Sequence, residues 1–293
     1  MKVLILGGNG LLGSALKRRW ENKEREFTIF APGREKLDGC SEKAAKQALD
    51  GWRPQWVVNC AAATEVDRCE RETAWAQRLN EGLPRLWAEL CKERGCGFLQ
   101  VSTDYVFDGR GRAPLTEADR TAPVNVYGST KLAGERAALE AGGCALRVQW
   151  LYGRKKPGFV GWLCRQEGRG KIPVVNDCTG IPTSAKEAAA AIEALICSEK
   201  RGLWHGAPSG QASWMEFARE ILRQTGGEEG RLVPIRQEEL RRPAQRPLYT
   251  PLSSEKLVSQ TLWEQRSWQE GLEEYLWEQK REKEGLLPSR WFD

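Results

Sequence analysis

The stretch Lys2-Val-Leu-Ile-Leu-Gly-Gly-Asn-Gly10-Leu-Leu-Gly13, running on to Trp20, decides the architecture of this chain. Lys2 to Leu6 is an apolar strand, a glycine turn follows, and Leu11 to Trp20 continues as a helix. In such a β-turn-α unit the spacing of Gly7, Gly10 and Gly13 permits a tight turn, close backbone approach to a pyrophosphate and close helix packing. The helix N-terminus adds partial positive charge. Directly after a first strand and before a helix, the triplet reads as a dinucleotide cradle.

Further along, Phe27 to Phe30 reads as a second strand, Trp56 to Asn59 as a third, Gly97 to Ser102 as a fourth and Ala145 to Trp150 as a further one. Helical stretches lie between them, around Ala44 to Leu49 and Leu83 to Arg94. Alternation of this kind implies an α/β chain with a doubly wound parallel sheet. After Trp150 the alternation fades. Residues 1–150 are therefore expected to form the dinucleotide-binding domain and 151–293 mainly a second, smaller lobe, with an alanine-rich helix from Lys186 to Cys197 returning to cover the sheet. Met215 to Gln224 reads as another helix, and Arg241 to Pro247 as an irregular loop able to reach a ligand. Trp268, Leu272, Tyr275 and Leu276 share one helical face and read as packing residues.

Composition bounds the function. The 293 residues are 40% hydrophobic and 29% charged, enough for a full core, and no stretch approaches the ~18 apolar residues of a membrane span. The N-terminal apolar run reads as a strand and not as a signal peptide, which points to a cytoplasmic protein. Nine cysteines without CxxC pairs suggest reduced thiols, and with a single histidine, His205, no metal is expected. A net charge of +5 with interleaved acids does not indicate a nucleic-acid surface, but it suits an anionic ligand such as a nucleotide.

The chemistry sits in Tyr127-Gly-Ser-Thr-Lys131 and Ser102-Thr-Asp104. On a helix, i and i+4 share a face, so the Lys131 ammonium is expected beside the Tyr127 phenol, making it a stronger acid. Thr103, at the end of the fourth strand, offers a hydroxyl for a substrate carbonyl oxygen. After the second strand the run Ala31-Pro-Gly-Arg34 carries an arginine where an acidic residue would bind a ribose 2′-hydroxyl. Arg34 can pair with a 2′-phosphate, favouring NADPH, while Asp38 close by leaves NADH possible. Asn59-Cys-Ala-Ala-Ala-Thr64 closes the third strand with small residues, as a cofactor across the sheet edge requires and as tight packing under a helix would equally.

Taken together, these blocks resemble the extended short-chain dehydrogenases/reductases, and within them the dTDP-4-dehydrorhamnose reductase (RmlD-like) family. The resemblance covers nearly the whole chain. It rests on Gly7 to Gly13, Asn59 to Asp67 with Cys69-Glu70, Ser102-Thr-Asp-Tyr-Val-Phe-Asp-Gly109 and Ala122 to Glu135, the last containing Val-Tyr-Gly-Ser-Thr-Lys-Leu-Ala-Gly-Glu. It continues through Arg147 to Tyr152, Asn176 to Thr183, Gly202 to His205 and Arg246-Pro247. Cys60, Ala63 and Gln149 depart from the family pattern.

The resemblance implies a Rossmann-type sheet with a C-terminal substrate-binding lobe. It implies that Tyr127 donates a proton, Lys131 holds the nicotinamide ribose, and Thr103 orients a C4 carbonyl. The cofactor would be lined by Gly7, Asn9, Gly10, Leu11, Leu12, Gly13, Ala62, Ala63, Thr64 and Ser102. Asp104, Tyr105 and Trp150 would look toward a sugar nucleotide, with Asn176, Thr183 and Arg246 approaching from the second lobe, Arg246 toward the diphosphate. The implied activity is NAD(P)H-dependent reduction of dTDP-4-dehydro-L-rhamnose to dTDP-L-rhamnose by a monomer or homodimer. Two alternatives stand beside it: a reductase of another nucleotide-linked 4-keto-6-deoxy sugar, and a non-catalytic NADP-binding regulatory subunit resembling the methionine adenosyltransferase β subunit.

Overall fold

The computed structural model describes residues 1–21, 23, 26–156, 158–166 and 170–284. Strand β1 (Lys2–Leu6) is buried from its second residue onward, because helices cover both faces of the sheet it enters. Helix α1 (Leu11–Glu21) starts at the glycine turn, and β2 (Thr28–Phe30), α2 (Glu42–Trp52) and β3 (Trp56–Asn59) follow. β1 pairs in parallel with β2 on one side and β3 on the other, so the chain reverses its travel across the sheet there. Open α/β sheets bind ligands at the carboxyl ends of the strands flanking such a switch point.

Next come α3 (Val66–Arg71), α4 (Thr73–Gln77), a π-helical turn over Arg78–Gly82, and α5 (Leu83–Glu93). They lead to β4 (Gly97–Thr103), a 3₁₀ turn over Asp104–Val106, α6 (Val126–Glu140) and β5 (Cys144–Val148). The fifth strand stops at Val148, short of the expected Trp150. Trp150 adopts a left-handed φ of 43° and lays its indole on Trp214, with ring centroids 3.8 Å apart.

Past that point the elements shorten: β6 (Leu151–Tyr152), α7 (Gly158–Cys164), β7 (Ile172–Val175), β8 (Thr179–Gly180) and β9 (Thr183–Ser184). Helix α8 (Ala185–Cys197) then returns to the sheet, packing Ala188, Ile192 and Ile196 in one core with Leu12 and Leu16 of α1. The following strand, β10 (Gly202–His205), pairs in parallel with β5. Among the described residues the sheet has six parallel strands in the order β10-β5-β4-β3-β1-β2. The alternation pattern of the sequence did not reveal this last edge strand, so the chain beyond residue 150 contributes more than α8 to the first layer.

The remainder comprises β11 (Ala212–Ser213), α9 (Trp214–Thr225), β12 (Leu232–Ile235), α10 (Glu255–Gln260) and α11 (Trp268–Lys283). Phe217, Ile221, Trp268, Leu272 and Tyr275 build a second core, which also takes in Val106, Phe107 and Leu132 from the first half of the chain. The lobes thus share apolar packing where β4 ends and α6 begins.

Candidate active site

The glycine turn is built by contact. Gly7 has φ 75°, and a Cβ there would stand 2.8 Å from the backbone nitrogen of Ala61, beyond the end of β3. At Gly13 a Cβ would come within 2.3 Å of the Gly7 carbonyl oxygen. Side chains at either position would fill the cradle, so its backbone stays open to an anionic group at the start of α1, as a pyrophosphate requires. Asn9 is exposed at the tip, and Leu11 is half-buried. The Leu12 side chain is 5% exposed and lies in the core, so its backbone is what it offers to the turn.

Across the switch point, Ala62 is half-buried and Thr64 exposed, while Ala63 is buried. The Ala63 N–H donates to Asn80 Oδ1 at 2.8 Å, and its carbonyl accepts from Asn80 Nδ2 at 3.1 Å. Asn80 Nδ2 also donates to Thr130 Oγ1 at 3.1 Å, so one buried amide ties the loop after β3 to α6. Sequence reasoning missed Asn80, whose position depends on the π-helical turn, and no local pattern announces that turn. Beyond β2, Arg34 and Asp38 are both exposed. The Asp38 carboxylate accepts the Cys40 N–H at 3.0 Å and stands 4.0 Å from Arg78.

Helix α6 is fixed at its first turn from three directions. Asn125 Oδ1 accepts the Gly128 N–H at 2.7 Å, capping the helix, and its Nδ2 donates to the Gln245 carbonyl at 2.7 Å. The Val126 N–H donates to Glu70 Oε1 at 2.8 Å. A Cβ at Gly128 would lie 2.1 Å from the Tyr105 carbonyl oxygen, so the absence of a side chain lets α6 press on the 3₁₀ turn. Tyr127 thereby reaches the end of β4, its ring meeting that of Tyr105 edge-on at 5.5 Å.

The structure brings Thr103, Asp104, Tyr105 and Tyr127 together and leaves Lys131 bound to the strand beside them, with electrostatics other than those expected. Burial pushes the Tyr127 phenol upward, and the Asp104 and Cys69 charges add to it, while contact with the Thr103 hydroxyl works the other way. The Lys131 ammonium is engaged by the strand. Its Nζ donates to the Val101 carbonyl on β4, and burial lowers its pKa to about 8 against the opposing pull of Glu135. Spacing put the two side chains on one face; a nearby carbonyl took the ammonium. Asp104 is buried and raised to about 6 by desolvation, moderated by hydrogen bonds from Thr250 and Thr103.

Three other expected contacts are diverted. The Ser102 hydroxyl donates to Glu135 Oε2 at 2.6 Å, inside a buried network in which Arg147 forks onto the same carboxylate at 2.9 and 2.6 Å. The period-2 alternation of β4 turns Ser102 to the face opposite Val101 and Thr103, which explains its absence from the cradle. Thr183 is fully buried, and its hydroxyl donates to the Ile181 carbonyl at 3.1 Å. Arg246 forms a bidentate pair with Asp67, at 2.6 and 2.8 Å, bringing the 241–247 loop onto α3. Asn176 is exposed just past β7, and its N–H donates to the Ile235 carbonyl at 3.0 Å. Trp150 stands between the lobes on Trp214, packed so closely against Gly180 that a Cβ there would meet its indole at 2.6 Å.

A buried acid beside a threonine and a tyrosine at the carboxyl end of β4, in a sheet whose first strand ends in the glycine cradle, can take part in proton transfer to a bound group. Among the described residues no group of three His, Cys, Asp or Glu side chains is placed to hold a metal ion. No helix among them is long and apolar enough to cross a membrane.

Comparison with known proteins places this geometry. The family model described as RmlD substrate binding domain matches residues 1–281. A probable dTDP-4,6-dihydroxy-2-methyloxan-3-one 4-ketoreductase of Streptomyces antibioticus is 40% identical over 279 residues, covering 94% of each chain. A dTDP-4-dehydrorhamnose reductase of Streptomyces griseus is 38% identical over 280 residues, covering 92% of this chain and 91% of the relative. The crystal structure of dTDP-4-dehydrorhamnose reductase from Bacillus anthracis in complex with NADP superposes with a TM-score of 0.90 at 32% identity, covering 94% of this chain and 99% of the other.

Proposed function

The chain belongs to the RmlD-like family of extended short-chain dehydrogenases/reductases, and on that premise we propose that it reduces the C4 keto group of dTDP-4-dehydro-L-rhamnose, giving dTDP-L-rhamnose, with NADPH as reductant. The observation that carries the reading is the meeting of Thr103 and Tyr127 at the end of β4, with Lys131 of the same helix held to the Val101 carbonyl and acted on by Cys60, whose backbone with that of Ala61 abuts Gly7. NADPH supplies the hydride that reduces the carbonyl carbon.

The chain's own residues do the rest. The turn from Gly7 to Gly13 holds the pyrophosphate at the start of α1, and exposed Arg34 pairs with the 2′-phosphate. Tyr127 gives its proton to the oxygen as negative charge develops on it, and Thr103 hydrogen-bonds that oxygen. Lys131 moves from the Val101 carbonyl to the nicotinamide ribose and brings its charge toward the phenol. Tyr105 and Trp150 form the wall against which the sugar nucleotide lies. Arg246 reaches the diphosphate only after exchanging Asp67 for it, whereas Asn176 and Thr183 support the lobe's edge. The protein works in the cytoplasm as a monomer or homodimer; its nine cysteines without paired spacing suit a reducing compartment.

A second reading is favoured by the 40% identity to the Streptomyces antibioticus ketoreductase, whose name carries a different dTDP-linked keto sugar. The fold does not separate the two substrates. Mixing purified protein with NADPH and each dTDP-linked 4-keto sugar, and following loss of nicotinamide absorbance, decides between them. Tyr127→Phe is expected to lose about 100-fold or more of turnover while keeping NADPH affinity. Unchanged turnover in that variant would overturn the assignment.

A further inference from the structure

Asp104 is 1% exposed, and both of its oxygens are engaged by hydroxyls from different parts of the chain. Thr103 Oγ1 donates to Oδ1 at 3.0 Å, and Thr250 Oγ1, from the segment before α10, donates to Oδ2 at 2.7 Å. Thr103 Oγ1 also accepts the Tyr105 N–H at 3.2 Å, and the same hydroxyl adjoins the Tyr127 phenol. A threonine hydroxyl has one proton to give. While that proton points at the Asp104 carboxylate, Thr103 presents only a lone pair toward Tyr127. A carbonyl oxygen brought next to Tyr127 then finds no donor on Thr103, and it faces a buried negative charge close by.

A protonated Asp104 reverses the direction: the carboxylic acid donates to Thr103, and Thr103 donates onward to the substrate oxygen. We infer that Asp104, held in place by Thr250, is a positioning residue that sets the direction of the Thr103 hydroxyl, withholding this donor from the substrate oxygen when ionised and releasing it when neutral. The inference rests on the reductase reading and adds Thr250, from the second half of the chain, to the machinery of that site.

The surroundings allow the switch. Burial raises Asp104 to about 6, and the groups that restrain the rise are the Thr250 and Thr103 hydroxyls and the backbone amides of Asp104 and Tyr105. Tyr127 from α6 and Tyr105 from its own turn also face it, and both phenols are pushed up by burial, with the Asp104 charge adding. Arg246 and Cys178 act on Tyr105.

The sign follows from these contacts. Reduction is fastest with Asp104 neutral and declines about tenfold per pH unit above its pKa. The decline lies in kcat and not in KM, because the donor matters only once charge develops on the oxygen. Thr250→Val removes a hydrogen bond that favours the ionised form, so the limb moves to higher pH. Asp104→Asn keeps an acceptor for Thr250 and turns an N–H toward Thr103, so the limb disappears and kcat at high pH exceeds that of the parent protein. Lys131 titrates alike in all three, and differences among them isolate Asp104.

The test is the pH profile of kcat and KM for the parent, Thr250→Val and Asp104→Asn proteins, with NADPH and the dTDP-linked keto sugar, together with carbon-13 NMR titration of the Asp104 carboxyl. The limb is expected to move upward in Thr250→Val and to vanish in Asp104→Asn, with the Asp104 resonance moving upward in Thr250→Val as well. Superposed profiles for the parent and Asp104→Asn would overturn the inference, as would an Asp104 carboxyl that titrates in the ordinary range and ignores Thr250→Val. Should Asp104→Asn fail to fold, Thr250→Val carries the test. Should the parent turn over no keto sugar, the reductase reading fails by itself, and the NMR titration still decides whether Thr250 controls Asp104.

Discussion

Glu135 of α6 and Arg147 of β5 meet in a forked ion pair, each side chain 2% exposed. Ser102 adds a hydrogen bond to the carboxylate at 2.6 Å, and the guanidinium lies over the Phe107 ring at 4.9 Å. Such a pair is costly to break from one side, because the remaining buried charge loses its counter-charge and is shielded from water. Arg147→Met is expected to reduce unfolding free energy by about 3–5 kcal/mol. Denaturant unfolding measures it, and Glu135→Leu combined with Arg147→Met should recover much of the loss.

His205 closes the other end of this network. Its Nδ1–H donates to the Leu115 carbonyl at 3.1 Å, and its Nε2 accepts from Arg147 at 3.2 Å. Burial, followed by the Arg147 charge, lowers its pKa to about 3. The unfolded chain takes up this proton near pH ~6.5, so between there and about 3 the unfolded state binds more protons and stability falls with falling pH. Above that window the group makes no difference. His205→Gln should make the acid loss of melting temperature shallower than in the parent, and calorimetry from neutral to acid pH checks the difference.

Arg34 is exposed beyond β2, where the cofactor's adenosine end would reach. If it pairs with a 2′-phosphate, Arg34→Ala should weaken NADPH binding about tenfold or more and leave NADH nearly unchanged. Fluorescence titration with both cofactors reads the ratio. Equal weakening of both would assign the preference elsewhere.

Asn80 holds both backbone polar groups of Ala63 and the Thr130 hydroxyl from a fully buried position. Asn80→Ala leaves the Ala63 N–H without its partner and the Ala63 carbonyl with only the Cys69 thiol at 3.6 Å, while Thr130 keeps the Val126 and Tyr127 carbonyls, at a cost of about 1–3 kcal/mol if water does not enter. Loosening of the loop after β3 should also raise the dissociation constant for NADPH. Thermal unfolding with and without cofactor separates the two effects, since lost binding shrinks the cofactor-induced shift.

Much of the site was legible because local chemistry and position coincide in it. The glycine spacing demanded a turn that only glycine backbones can build, and the Tyr127 to Lys131 spacing demanded one helix face. Thr103 had to end a strand, and it does. What escaped the sequence were partnerships. Nothing near Arg246 announced Asp67, 179 residues away, and nothing near Asp104 announced Thr250, 146 residues away. The resemblance set Ser102 toward the cofactor, whereas alternate strand residues face opposite sides and its hydroxyl is given to Glu135.

The sequence by itself determined the doubly wound sheet, its cofactor cradle and the identities of the residues at the end of β4, because strand and helix periodicities, glycine backbone freedom and short spacings act over a few residues. Only the tertiary structure decided which proton each of those residues can give. Lys131 is drawn to Val101, the Tyr127 phenol is raised by burial, and Asp104 is neutralised toward pH 6 while a threonine from the far end of the chain holds it. Desolvation and hydrogen bonding of a buried group depend on everything packed around it, and that surrounding is assembled from segments that no local pattern connects.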